Sequence, residues 1–163
     1  MKKIKGLLAM CAVAILFMGC PYSSENAIDE KPVVKIMPSL LGKWEQRSST
    51  DYSYVITKTD EFNYHIEKIH VSDGKKDLYD GFLSDVGGEK FFNIWDESAT
   101  PKVYYLYKVD MSGGDALVKM VSVTQNIDEK FTSSAELRKF IEKYKGLTFF
   151  YDKDEDSYIK TGK

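Results

Sequence analysis

Cysteine is nearly absent from this 163-residue chain: Cys11 and Cys20 are the only two. Both lie in the first twenty residues, so the rest of the chain has no disulfide and no thiol nucleophile. Histidine is equally scarce, with His65 and His70 alone. Two imidazoles five residues apart leave little for general-base chemistry or for a zinc site of three or four ligands. No Gly-x-Ser-x-Gly elbow occurs, which removes the usual mark of a serine nucleophile. Gly87-Gly88 and Gly113-Gly114 lead into no helix, so they read as hairpin glycines and not as a phosphate loop. No apolar run reaches the roughly 18 residues of a membrane-spanning helix. Basic residues show no excess, 23 against 25 acidic, which argues against a nucleic-acid partner, since phosphate binding demands a basic stripe. These absences leave no catalytic signature, no metal or cofactor motif, and an expectation of a non-enzyme.

What is present begins at residue 1. Met1-Lys2-Lys3-Ile4-Lys5 is a basic head, an apolar run extends from Leu7 to Met18, and Gly19-Cys20 follows. This is the layout of a secretory signal. An ordinary signal ends small-x-small, but Phe17-Met18-Gly19 lacks the first small residue. Phe17-Met18-Gly19-Cys20 instead resembles the lipobox of bacterial lipoproteins. That resemblance implies cleavage before Cys20, a diacylglyceryl group on its sulfur, and acylation (palmitate-type) of the new amine. One acyl chain holds a protein only marginally, whereas two hold it stably. The expectation is an exported protein, lipid-anchored to the cell envelope. Pro21 stands where an Asp would favour the inner membrane in some bacteria, so the outer membrane is expected.

The chain then divides into a signal peptide (1–19), a lipidated cysteine with a flexible tether (20–38), and a single β-rich domain (39–163). The tether reading rests on residues that are polar at first and punctuated by Pro21, Pro32 and Pro38, with Val33, Val34 and Ile36 in the later half able to pack on the domain. Once Lys2, Lys3 and Lys5 are removed, 20 basic residues face 25 acidic ones. About 140 residues suffice for one domain with a sizeable core.

Aromatic residues are plentiful, with eleven Tyr, nine Phe and two Trp, and they suit pleated, half-buried surfaces. From Leu40 the pattern is one of strands and tight turns. Tyr52, Tyr54 and Ile56 alternate with polar or smaller residues, and so do Phe62, Tyr64 and Ile66. The phase then slips to Ile69 and Val71, which predicts a β-bulge near Lys68. Further strands are expected near 77–86, 89–96, 102–110 and 115–124, with turns at Asp73-Gly74, Gly87-Gly88 and Gly113-Gly114. Ser133-Ser134-Ala135-Glu136 fits a capping box. Leu137, Phe140, Ile141 and Tyr144 then form one apolar helical face, with Gly146 as the stop. Two short strands, near 147–152 and 157–161, close the chain. The run Asp152-Lys153-Asp154-Glu155-Asp156 spaces its acids like a calcium loop, but Ser157 and Lys163 stand where Gly and Glu are needed, so it reads as a solvated turn.

The fold class expected is mainly β: an antiparallel meander of about eight or nine strands, closed as a barrel or folded as a sandwich, with one late α-helix. Leu41-Gly42-Lys43-Trp44 resembles the Gly-x-Trp start of lipocalin-type (calycin) barrels. In those barrels the Trp plugs one end and a late Arg packs across it. The arginines beyond the signal are Arg47 and Arg138, and neither falls at that place. A lipocalin-like interior left unfilled would hold an apolar or aromatic-stacking small ligand. Trp44, Tyr54, Tyr64, Trp95, Tyr105 and Tyr107 are the candidate lining residues. The competing expectation is an accessory lipoprotein with a solid core that binds other envelope proteins. Cys20 is the expected site of lipid attachment in either case.

Overall fold

Alternating side chains and glycine turns produce nine strands in the computed structural model, which describes residues 22–124 and 127–162. They are β1 (Ser23–Ser24), β2 (Gly42–Gln46), β3 (Tyr52–Lys58), β4 (Asn63–His70), β5 (Lys76–Val86), β6 (Glu89–Asp96), β7 (Tyr104–Asp110), β8 (Leu117–Val123) and β9 (Tyr151–Gly162). One helix, α1 (Ser134–Tyr144), lies between β8 and β9. Every strand from β2 to β9 pairs antiparallel with its successor, and β9 pairs back onto β2. The result is a closed eight-stranded barrel, not a sandwich, and closure removes its exposed edges. β1 adds a short extra pairing to β7, Ser23 opposite Tyr105 and Ser24 opposite Tyr104. The β5–β6 hairpin turns through Gly87 (φ 59°) and Gly88 (φ 86°). Both central positions of such a two-residue turn need positive φ, which glycine adopts without strain.

Period-2 alternation splits the apolar residues between two cores. Phe92, Leu83, Tyr64, Ile66, Trp44, Val109 and Val118 face the barrel interior. Phe91, Val86, Leu106 and Val123 face outward beneath Leu137 and Ile141 of α1, together with Tyr22, Ile28 and Phe150. Adjacent Phe91 and Phe92 thus serve opposite sides of one sheet. Gly81 has a packing role: a Cβ there would lie 2.7 Å from Phe92 Cε1 and 3.0 Å from the Asn93 carbonyl. Helix α1 starts at Ser133, whose Oγ accepts the Glu136 amide at 3.3 Å. The Glu136 carboxylate reaches one residue further than the capping box predicts, accepting from the Thr132 amide and hydroxyl.

Three expectations are corrected here. The register between β3 and β4 runs unbroken from Tyr52–His70 to Lys58–Tyr64, so there is no bulge near Lys68. The apparent phase slip arises because the interior becomes polar at that end: Lys68 stays inside, beside the ring of Tyr52 at 4.0 Å. Residues 147–152 and 157–161 are not two strands. A 3-10 turn at Thr148–Phe150 leads into the single twelve-residue β9, which carries the acidic run in extended form.

The third correction concerns the tether. Residues 22–38 lie on the barrel instead of hanging from it. Tyr22, Ser24, Ala27 and Ile28 are buried. The Ile28 amide donates to Asn93 Oδ1 at 2.8 Å, the Ile36 amide to the Glu61 carbonyl at 3.0 Å, and the Met37 amide to the Tyr64 hydroxyl at 2.6 Å. Arg138 of α1 pairs with Asp29 and donates to the Asp85 carbonyl, fastening helix, segment and hairpin together.

Candidate ligand cavity

The barrel interior is only partly filled. Toward the start of β2 it is sealed by the 3-10 turn Pro38–Leu40, with Leu40, Trp44 and Tyr64 almost wholly buried. The Trp44 indole donates to the Leu40 carbonyl at 2.9 Å. The Lys160 ammonium stands 5.3 Å from the Trp44 ring centre and donates to the Ser39 carbonyl. A lysine on the last strand thus lies across the tryptophan.

Above this floor lies a cavity of about 550 Å³. Its walls are Tyr54, Ile56, Ile66, Tyr79, Phe92, Ile94, Tyr107, Met120 and Tyr158, and its half-buried rim is Gln46, Tyr52, Lys68, Asp96, Tyr105 and Asp156. Inward alternation accounts for the set: Tyr52, Tyr54 and Ile56 on β3, Phe92, Ile94 and Asp96 on β6, and Tyr105, Tyr107 and Val109 on β7. Such a volume, mostly apolar with a few polar groups, lies within the size range of small-molecule sites.

The phenols are the dominant polar groups. Tyr54 and Tyr158 meet edge to face, with ring centres 5.4 Å apart. Burial pushes the Tyr54 hydroxyl up to about 12, and the Asp156 carboxylate pushes the same way. Burial raises Tyr107 and Tyr158 further, followed by their neighbouring phenols and Asp156. The wall therefore stays neutral through physiological pH, and its hydroxyls can donate and accept.

Four of the six lining residues expected from the sequence line this cavity: Trp44, Tyr54, Tyr105 and Tyr107. Tyr64 does not. It lies below the cavity, fully buried, with its ring 5.1 Å from that of Phe92. Trp95 lies outside the barrel, because alternation along β6 turns Ile94 and Asp96 inward. It packs edge-on to Phe82 and Tyr104 under the Lys102 ammonium. Missed were Tyr52, Tyr79, Tyr158, Lys68 and Asp156. Tyr79 sits two residues from Gly81 and four from Leu83, so counting by twos from Leu83 finds it.

No family model matches this chain. Neither a curated protein nor a solved structure matches it.

The two histidines part company, as strand alternation requires. His70 lies near Tyr52 and Asp77, with Nε2 2.9 Å from the Asp77 carboxylate. His65 has Nδ1 2.8 Å from Glu97 and 3.3 Å from Asp80. One imidazole and two carboxylates, all within 4.8 Å, are the described residues able to hold a metal ion. Sequence spacing hid the group because its members come from β4, β5 and the segment after β6.

Proposed function

We propose that this protein is a lipid-anchored binding module of the bacterial cell envelope, non-catalytic, holding a small apolar or aromatic-stacking ligand inside its barrel. The observation that carries the reading is the cavity of about 550 Å³ walled by tyrosines and aliphatic side chains. It falls within the roughly 300–1,000 Å³ of small-molecule sites. The lipobox-like Phe17-Met18-Gly19-Cys20 supports export, cleavage before Cys20, acylation there and residence at the outer membrane. The test is organic extraction of the native protein, followed by mass spectrometry. A stoichiometric small molecule is expected. An empty extract, together with no saturable binding of aromatic probes, would remove the reading.

The accessory reading, an envelope protein that docks other proteins, has one observation in its favour. Phe149, in the turn before β9, is 71% exposed, and Leu147 beside it is partly so. Crosslinking in intact cells from position 148, beside Phe149, tests it. A reproducible protein neighbour lost on Phe149→Ser would favour docking over ligand storage.

A further inference from the structure

The chemistry of the cavity narrows the ligand class, and this inference rests on the cavity being a ligand site. Asp156 lines the cavity from β9. Its hydrogen-bond partner is the neutral Gln46 amide, with Nε2 2.5 Å from Oδ1. Among the described residues no Lys, Arg or His forms an ion pair with it. Tyr54, Tyr107 and Tyr158 stand close enough to feel its charge. A carboxylate without a counter-ion, facing a space bounded by aromatic rings, is the arrangement that recognises an organic cation: the carboxylate supplies charge and the ring faces supply quadrupole attraction.

The rim agrees in sign. Among the described residues Lys68 is the one ammonium there; it lies over the Tyr52 ring at 4.0 Å and forms no ion pair with a carboxylate. Asp96 and Asp156 outnumber it. An anionic head seated in the cavity would lie against Asp156, where like charges repel. Because the phenols remain protonated, they add no negative charge of their own and present neutral ring faces.

We infer that the cavity takes an amine: a ligand with an apolar or aromatic body and one cationic nitrogen held between Asp156 and the rings of Tyr54 and Tyr158. The ligand class is thereby separated from fatty acids and other anionic amphiphiles, which an apolar barrel alone would not exclude.

Three water-soluble probes of matched size test it by calorimetric titration into the purified mature protein: phenethylamine, 2-phenylethanol and 3-phenylpropanoate. The amine is expected to bind at least about tenfold more tightly than the alcohol, and the carboxylate most weakly. Asp156→Asn should bring amine and alcohol within about twofold of each other, while Lys68→Gln should tighten the amine several-fold. The two variants move affinity in opposite directions, so misfolding of one does not mimic the result. Alcohol and amine binding equally, or the carboxylate binding best, would overturn the amine assignment and leave the cavity reading standing. Failure of all three probes to bind would overturn both.

Discussion

Asn93 is fully buried, and it joins the N-terminal segment to the barrel. Its Oδ1 accepts the Ile28 amide at 2.8 Å, while its Nδ2 donates to the Phe82 carbonyl at 3.2 Å and the Ser84 hydroxyl at 2.9 Å. Asn93→Leu keeps the size and removes all three bonds. Each such bond contributes a net ~1 kcal/mol, and a buried amide left without a partner costs about 1–3 kcal/mol more. The Ser84 hydroxyl can turn away, so two lost bonds and one orphaned amide give an expected loss of about 3–5 kcal/mol. For a domain of this size each kcal/mol moves the melting midpoint by roughly 2–4 °C, which places the fall at about 6–20 °C. Asn93→Asp should be worse at neutral pH, because a carboxylate then faces the Phe82 carbonyl. Burial raises that carboxyl above its unfolded value of about 4. The folded state then binds the extra proton, so stability recovers as pH falls toward 4 and is lost as it rises. Thermal melts by circular dichroism at several pH values, paired with limited proteolysis of residues 22–38, read both effects. A loss below about 1 kcal/mol with the segment still protected would refute the view that Asn93 holds it.

Gly81→Ala should lower stability by about 1–3 kcal/mol through the clash with Phe92, and Phe92→Leu in the same chain should recover part of it in chemical denaturation. The buried phenols predict alkaline sensitivity. Tyr54 is raised to about 12, whereas an unfolded tyrosine ionises near 10, so stability is full below pH ~10 and declines as pH climbs toward 12. Denaturant midpoints on either side of pH 10 measure this, and an unchanged midpoint speaks against buried phenols. Cys20→Ser should abolish metabolic palmitate labelling and move the protein out of the membrane fraction. Retention of label would place the acyl group elsewhere.

The antiparallel meander was legible because its strands carry period-2 alternation from Tyr52 onward and its hairpins are marked by glycine; its closure was not, because the choice of barrel over sandwich rests on β9 pairing back onto β2, far away in sequence. The helix was legible because Ser133 and the Leu137–Ile141 face are local signals. The tether was misread for the complementary reason. What holds residues 22–38 is Asn93 on Ile28 and Tyr64 on Met37, partners 65 and 27 residues away, and no local pattern announces them. The aromatic wall was half legible. Tyr54, Tyr105 and Tyr107 follow from alternation, whereas Trp95 was chosen for its ring and not for its parity along β6. Asp156 was hidden by its company, since four charged neighbours made it look like part of a wet turn.

The N-terminal segment packs on the barrel from Tyr22 onward. Two peptide units separate Cys20 from buried Tyr22, a reach of at most about 7 Å. Ser23 is paired to Tyr105, itself on the cavity rim. If Cys20 bears the lipid proposed for it, the opening of the barrel is pinned at head-group height. A guest dissolved in the leaflet could then enter or leave sideways without passing through bulk water.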